Sequence, residues 1–408
     1  MSFLDPGDPA DIAEGLATAF VGRHQCTPDA VAGAPGRVNL IGEHVDYNAG
    51  RCLPVALPHA TYAAVRLRTD DVVTVASLQR EDVWTGASRD LGPGAAQHWS
   101  SYVSGVVWTL REDGLDVPGL DVLVDGRVPI GAGLSSSAAL ECSVALAVCA
   151  ALGVDADRDF RADRLVSACM RAEAEVAGVA TGGMDQTVSL LAERGHALLI
   201  DCVDGSTQQV PWSPESAGLR LLVVDTRVIH ALVDGGYEAR RSSCEQAATI
   251  LGVTSLREVE DVPAALSRIA DPVVRRRARH VLTEMSRVGD ALLALEAGDH
   301  ESFGVAMTGS HESLRDDFEV SCPELDAVVE TSLEHGALGA RMTGGGFGGS
   351  AIALLPHALV AEVVQAVRSR FHHQRWPAPA FALVEASAGG RVLDPPSVRP
   401  SLRSPARP

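Results

Sequence analysis

The segment PIGAGLSSSAALECS, residues 129–143, combines the features of a strand end, a glycine–serine loop and a helix start. Gly131 and Gly133 permit backbone conformations that other residues avoid, and three serines precede a helix-forming run over residues 138–152. Such a loop points several backbone N–H groups at one place beside the positive end of a helix dipole, which favours a phosphate. An ordinary capped helix can have a similar sequence, so the interpretation depends on other segments.

The basic residues exclude several classes of phosphate-binding enzyme. All 34 of them are arginines, because the sequence contains no lysine. P-loop nucleotidases, protein kinases and Schiff-base enzymes each require a lysine. If residues 129–143 bind a nucleotide, backbone amides must carry its phosphates.

Composition and charge predict a cytoplasmic protein without nucleic-acid or membrane partners. The formal net charge of −19 disfavours nucleic acid and anionic lipid. The acidic start and the lack of a long uncharged apolar run favour neither a signal peptide nor a membrane span. The eight cysteines are scattered without metal-ligand spacing, which predicts reduced and mostly buried thiols.

A second segment, GRVNLIGEHVDYNAG at residues 36–50, predicts a polar ligand site. It places titratable side chains, among them Glu43, His44 and Asp46, on the turn that follows a buried strand. Glycines on both sides of this turn argue against a simple solvated hairpin tip. Carboxylates that accept hydrogen bonds, beside a histidine that can accept or donate, suit a polyol.

The region after residues 129–143, here called the phosphate loop, contains a candidate metal ligand and an aspartate that follows two glycines. Glu173 lies on a predicted helix over residues 163–176, and a carboxylate near a phosphate loop suits Mg²⁺, although most helix glutamates face solvent. Asp185 follows two glycines in TGGMDQ and is either a helix cap or a catalytic base. Trp99, near the start of a predicted helix over residues 98–111, is either a core residue or part of an adenine pocket.

The 408 residues are expected to form two domains with a cleft between them. Prolines and a glycine near residue 211 predict the boundary, which gives a first domain over residues 10–212 and a second over 213–390. A third glycine cluster, GARMTGGGFGGS at residues 339–350, predicts a tight loop that approaches a ligand or another element. The Pro/Ser/Arg-rich residues 391–408 predict a disordered tail.

These three glycine-containing segments, in this order and spacing, resemble the galactokinases of the GHMP small-molecule kinase superfamily. The resemblance extends from about residue 33 to residue 390. It implies an α+β fold with two lobes, the second of them ferredoxin-like, and an active site between them. Two departures are TGGMDQ, where the family more often has CGIMDQ, and Ser350, where cysteine is usual.

The resemblance also implies ATP-dependent phosphorylation of α-D-galactose at its anomeric hydroxyl, in galactose catabolism, with Mg²⁺ as the cofactor. We expect the protein to be a monomer. The resemblance implies the following roles: Asp185 and Arg37 as the catalytic pair; Glu43, His44, Asp46, Gly183 and Tyr237 as galactose contacts; Trp99, Gly131, Gly133, Leu134, Ser135, Ser136, Ser137 and Ala138 as ATP contacts; and Ser137 and Glu173 as magnesium ligands.

Two alternatives remain open at this point. One is a kinase for a related sugar such as N-acetylgalactosamine or arabinose, although Asn48, Ala49 and Gly50 after the acidic turn favour galactose. The other is a galactose sensor on the same fold that partners a transcription regulator. Sensors of this kind have lost part of the serine–alanine loop, which is intact here at residues 135–139.

Overall fold

The computed structural model of the chain describes residues 3–154, 162–179, 181–229 and 233–393. Its strands are β1 (Ala30–Asn39), β2 (Arg51–Cys52), β3 (Pro54–Leu67), β4 (Val72–Ser77), β5 (Trp84–Ala87), β6 (Leu120–Gly126), β7 (His196–Asp201), β8 (Ser206–Pro211), β9 (Leu219–Ile229), β10 (Gly339–Thr343), β11 (Gly348–Pro356), β12 (Ala380–Val384) and β13 (Arg391–Leu393).

The helices of these residues are α1 (Pro9–His24), α2 (Trp99–Glu112), α3 (Ser136–Ala151), α4 (Ala162–Arg171), α5 (Met184–Leu191), α6 (Val233–Leu251), α7 (Val262–Arg268), α8 (Pro272–Glu296), α9 (His300–Ser313), α10 (Pro323–Glu334) and α11 (Val360–Gln374). A π-helical turn, Ala172–Ala177, continues α4, and a 3₁₀ turn spans Asp46–Asn48.

The first lobe is built on a six-stranded sheet in the order β13-β1-β3-β6-β4-β5. Its neighbours are antiparallel except for β4 and β6. The helix α3 packs across β1 and β3, and α2 and α4 pack beside it. The helix α3 is buried along nearly its whole length. This burial explains why residues 138–152 are almost entirely apolar.

The second lobe is built on a four-stranded antiparallel sheet in the order β10-β11-β9-β12. Numbered from β9, this is the 4-1-3-2 order of a ferredoxin-like β-α-β-β-α-β unit, in which a group of helices, α6–α10, takes the place of the first helix. The predicted α+β class and the ferredoxin-like second lobe are confirmed.

A small sheet in the order β2-β7-β8 lies beside both lobes. Its strand β2 pairs with β7 and directly follows the turn that carries Glu43, His44 and Asp46, here called the polar turn. One buried cluster contains Val45 and Cys52 from the first lobe together with Leu222 and Val224 from the second. The lobes therefore share a core instead of meeting only at a surface. No helix among the described residues is long and apolar enough to span a membrane.

The predicted disordered tail is wrong at its start. Arg391–Leu393 form β13, which pairs with Val31, Ala32 and Gly33 of β1. Leu393 also packs against a buried cluster that contains Phe20 and Tyr62. The proline and arginine content of this segment favours disorder, but pairing with the open edge of β1 stabilises a strand at residues 391–393. Residues 394–408 lie outside the described residues.

Candidate active site

A cavity of about 350 Å³ lies between the two lobes. The polar turn, the phosphate loop, the segment around Asp185 and the second lobe all contribute to its walls. It is lined by Arg37, Glu43, His44, Asp46, Gly131, Gly133, Leu134, Ser135, Ser136, Ser137, Glu173, Val179, Thr181, Gly182, Met184, Asp185, Tyr237, Gly344 and Gly345.

Asp185 is held between a cation and a hydroxyl. The Arg37 Nε atom donates to Asp185 Oδ1 at 2.8 Å, and Arg37 Nη2 lies 2.7 Å from the same oxygen. The Ser135 hydroxyl donates to Asp185 Oδ2 at 2.6 Å. Burial alone would lower the pKa of Arg37, but Asp185, followed by Glu43, raises it above its usual value. The guanidinium therefore remains charged although it is buried.

The backbone of β1 directs Arg37 towards this carboxylate. The β1–β3 register shifts between Pro35 and Arg37, which marks a bulge at Gly36. A Cβ atom on Gly36 would lie 2.4 Å from the Leu134 carbonyl oxygen, so only glycine permits this approach to the phosphate loop. Arg37 Nη1 then donates to the Gly133 carbonyl at 2.7 Å. One arginine thus connects the carboxylate to the loop.

The phosphate loop leads directly into α3. Ser135 precedes this helix with a left-handed φ of 58°, and its hydroxyl donates to Asp185 instead of capping the helix. The first turn of α3 therefore has no side-chain cap, and residues 135–137 at this end of the helix line the cavity.

The third glycine cluster packs on the phosphate loop. Gly344 has a φ of 83°, and a Cβ atom there would lie 2.7 Å from the Gly133 carbonyl oxygen. The Ser350 hydroxyl donates to the Ala132 carbonyl at 2.7 Å, so serine makes a specific contact at the position where the family usually has cysteine. The predicted tight approach of residues 339–350 to another element is confirmed.

His44 is a buried and neutral side chain. Burial first, and His280 next, lower the pKa of His44 to about 3. Its Nδ1 atom lies 2.9 Å from the Tyr47 hydroxyl, and the backbone of Gly345 is a further hydrogen-bond partner of the ring. The ring of Tyr237 lies 5.5 Å from that of His44, centroid to centroid. The pair forms an aromatic wall of the cavity.

Two carboxylates complete the polar side of the cavity. The Glu43 Oε1 atom accepts from the Gly344 N–H at 2.7 Å and from the Thr343 hydroxyl at 3.1 Å. Burial, with a contribution from Asp185, raises the pKa of Asp46 to about 6. A Cβ atom on Gly182 would lie 2.1 Å from Asp46 Oδ2, so this glycine is required for the loop to pass the carboxylate.

Ser137 and Glu173 share a wall of the cavity, and the nearby Ser137 hydroxyl acts to lower the pKa of the Glu173 carboxyl group. Burial, followed by Asp185, raises the pKa of Glu173 to about 7. The described residues contain no group of three or more His, Cys, Asp or Glu side chains suited to hold a metal. Mg²⁺ commonly takes one or two carboxylates and fills its remaining positions with water and phosphate oxygens. The hydroxyl and carboxylate present here fit that requirement.

Three predicted residues do not line this cavity. Trp99 stands at the start of α2, where its Nε1 donates to Asp82 at 3.1 Å. Ala138 is buried in the first turn of α3. Gly183 lines a neighbouring cavity, and its N–H donates to the Thr181 hydroxyl at 3.1 Å. The roles of Trp99, Ala138 and Gly183 stay predictions.

Sequence reasoning missed a buried ionic group behind the polar turn. Glu284 on α8 accepts from the Gly42 N–H at 2.9 Å, from the Ser310 hydroxyl at 2.7 Å and from Arg287 Nε at 2.8 Å. Burial opposes its ionisation, but Arg341 and other cations lower the pKa of Glu284 to about 2. This ionised carboxylate anchors the backbone of the turn. No local signal marked a residue so distant in the sequence.

A second missed pair is Gln186 and Glu141. The Gln186 Nε2 atom donates to Glu173 Oε2 at 2.6 Å and to Glu141 Oε2 at 3.1 Å. Two signals could have found them. Gln186 directly follows Asp185, and Glu141 lies four residues after Ser137, on the same face of α3.

Three family models match the chain. The galactokinase galactose-binding signature matches residues 18–67, the N-terminal domain of GHMP kinases matches 101–193, and the C-terminal domain of GHMP kinases matches 291–373. A galactokinase of Streptomyces coelicolor is 48% identical over 387 residues, 94% of this chain and 99% of that protein. A galactokinase of Bos taurus is 40% identical over 92% of this chain and 95% of that protein.

Solved structures agree with these matches. Lactococcus lactis galactokinase complexed with galactose superposes with a TM-score of 0.88 at 30% identity, over 94% of this chain and 100% of that chain. A mevalonate kinase superposes with a TM-score of 0.65 at 17% identity, over 88% of this chain and 99% of that chain, which supports the fold alone.

Proposed function

The chain belongs to the galactokinase family, and from this membership we propose that it transfers the γ-phosphoryl group of ATP to the anomeric hydroxyl of α-D-galactose. The observation that carries the proposal is the Asp185 carboxylate, which Arg37 and Ser135 hold between the polar turn and the phosphate loop. A base beside a phosphate seat is the arrangement that phosphorylation of a hydroxyl requires.

We assign the residues as follows: Asp185 and Arg37 are the catalytic pair; Glu43, His44, Asp46, Gly183 and Tyr237 contact galactose; Trp99, Gly131, Gly133, Leu134, Ser135, Ser136, Ser137 and Ala138 contact ATP; Ser137 and Glu173 hold Mg²⁺. Most of these residues line one cavity, which supports the assignment.

In the reaction, galactose O1 attacks the γ-phosphorus, and the bond to the bridging oxygen of ADP breaks. Asp185 accepts the O1 proton, and Arg37 balances the charge that develops between the carboxylate and the loop. Bound Mg²⁺ would neutralise phosphate charge. The transition state of phosphoryl transfer is loose, so positioning and charge stabilisation should dominate the rate enhancement.

We further propose a monomer whose lobes meet near residues 212 and 213. The small sheet ends at Pro211, and the sheet of the second lobe begins at Leu219, which supports the boundary. We expect the protein to act in the cytoplasm, where ATP is available.

The test is a coupled ADP-release assay with MgATP and, in parallel, galactose, N-acetylgalactosamine, arabinose and glucose. Phosphorus NMR of the product should show an anomeric phosphate with galactose. Preferred turnover of another sugar would contradict the substrate assignment. Galactose binding without turnover would contradict the proposed activity and favour a sensor.

Asp185→Asn should lower kcat by about 10²- to 10⁴-fold, the usual contribution of a general base, and leave galactose binding in place. Asp317→Asn is a matched control, because Asp317 also pairs with an arginine, Arg279, at 2.8 Å but does not line the cavity. Near wild-type turnover in Asp185→Asn would show that this carboxylate is not the base.

A further inference from the structure

We propose that Gln186 is a positioning residue that fixes the magnesium ligand Glu173 relative to the catalytic Asp185, with Glu141 as its anchor. The inference deepens the proposed function and rests on it. It gives a role to Gln186 and Glu141, which take no part in the mechanism described above.

The hydrogen bonds of Gln186 are fully specified. Its Nε2 atom carries two hydrogens and has two carboxylate acceptors, Glu173 Oε2 at 2.6 Å and Glu141 Oε2 at 3.1 Å. Its Oε1 atom accepts from the Thr181 hydroxyl at 3.3 Å. Both donors and the acceptor of the amide are therefore engaged, which leaves the side chain one orientation.

Burial makes this arrangement rigid. Gln186 and Glu141 have no exposed surface, and Glu173 is only 6% exposed. Two carboxyl groups are buried in one place, and the amide between them supplies the hydrogen bonds that water cannot. Without that amide, Glu173 would have to change its position or find another donor.

Gln186 is adjacent to Asp185 in the chain, so its hydrogen bonds affect the position of Glu173 relative to Asp185. Asp185 and Gln186 are consecutive residues in the first turn of α5. Asp185 faces Arg37 and Ser135, whereas Gln186 faces Glu173 and Glu141. One helical turn thus sets the distance between the residue that takes the sugar proton and the residue that holds the metal. Residues that orient metal ligands typically change metal affinity or activity about 10- to 100-fold when they are replaced.

The test measures metal binding directly. Mn²⁺ serves as the probe, and its binding to the enzyme–ADP complex is followed by electron paramagnetic resonance. Gln186→Met keeps the side-chain length and removes the donors, and Gln186→Glu keeps an acceptor but removes the donors. Both should weaken Mn²⁺ binding about 10- to 100-fold. Galactose affinity, measured by calorimetry, should stay unchanged, because the contacts of Asp185 with Arg37 and Ser135 remain.

Variants of Glu141 provide a second test, in which a conservative substitution should preserve the metal binding that a non-conservative one weakens. Glu141→Leu removes the anchor and should weaken Mn²⁺ binding, whereas Glu141→Gln keeps an acceptor for the amide and should restore it. Gln209→Met is the matched control, because Gln209 also uses both ends of its side-chain amide, with the backbone carbonyl of Leu191 and the backbone N–H of Glu193, outside the cavity. It should bind Mn²⁺ as the wild type does.

Wild-type Mn²⁺ affinity in Gln186→Met would overturn the inference. Equal losses of Mn²⁺ and galactose binding in that variant would also overturn it, since they would indicate a general structural role. The wild type is assayed first with galactose and MgATP. If it binds Mn²⁺ and ADP but does not phosphorylate galactose, the proposed function fails, and the metal measurements still decide the role of Gln186.

Discussion

Asp46 lies against Gly182 and near Asp185, and its burial raises its pKa to about 6. The pKa of an aspartate in an unfolded chain is near 3.8. The folded protein therefore binds a proton more tightly at this site than the unfolded chain does. The resulting stabilisation is complete below pH 3.8 and is lost as the pH rises through 6. At neutral pH Asp46 is ionised, and its burial then opposes folding.

Asp46→Asn should consequently be more stable than the wild type above pH 6 and no more stable near pH 4. A difference on the order of 1 kcal/mol corresponds to a shift in Tm of roughly 1–2 °C in a chain of 408 residues, because the entropy of unfolding grows with chain length. Thermal unfolding between pH 4 and pH 8 measures it. Asp70→Asn is a control for which the opposite pH dependence of stability is expected, because Arg68 lowers the pKa of Asp70 to about 2. A pH-independent Tm difference for Asp46→Asn would contradict the assignment.

At the scale of elements, the site is set by two loops that touch through their backbones. The phosphate loop enters α3, and the loop between β10 and β11 lies on it with Gly344 against Gly133. The Gly344 N–H also binds Glu43. The glycine cluster of the second lobe therefore supports both the phosphate seat and the polar turn.

Gly344→Ala should disturb this contact, because its Cβ atom would lie 2.7 Å from the Gly133 carbonyl oxygen. We expect kcat/KM for ATP to fall on the order of 10- to 100-fold, as a displacement of about 1 Å in an active site does. Steady-state kinetics with varied ATP measure the loss.

The control for this variant is Gly298→Ala. Gly298 has a similar φ of 69° but nothing within 4 Å of the added Cβ atom. It carries the same backbone strain, about 1 kcal/mol, without the contact. Equal kinetic losses in the two variants would show that strain, and not the approach to the phosphate loop, is responsible.

Local signals predicted the elements around the site. The glycines of residues 129–143 and 339–350 and the polar turn were all identified from residue types that act within a few positions of one another. The contact between the two glycine loops was expected only as an approach to some element, since the sequence does not specify which one. Glu284, Arg341 and Gln186 act on partners whose proximity is decided by packing of the whole chain, so their roles required the structure.

Two expectations needed more than local composition. The first residues of the Pro/Ser/Arg-rich end, 391–393, form β13 because the edge of β1 supplies hydrogen-bond partners that composition does not reveal. Trp99 was open to a core or an adenine role from sequence. Its indole packs beside a core cluster of the first lobe and donates to Asp82, and its adenine role stays a prediction.

At the scale of the whole molecule, β13 returns the far end of the described chain to its first sheet. Deletion of residues 391–408 should lower the Tm by a few degrees relative to deletion of 394–408, because only the longer deletion uncovers the edge of β1. Thermal unfolding and light scattering of the two truncated proteins measure stability and aggregation. Equal Tm values would show that β13 contributes nothing to the sheet.

This return of the chain has a consequence during synthesis on the ribosome. The strand β1 is among the first elements translated, whereas its neighbour β13 comes at the end of the described residues. At about 5–20 residues per second, roughly 20–70 s separate the two. Throughout that interval the nascent first lobe exposes an incomplete sheet to neighbouring chains. The interval in which β1 needs protection by a chaperone is therefore as long as the translation of almost the entire protein.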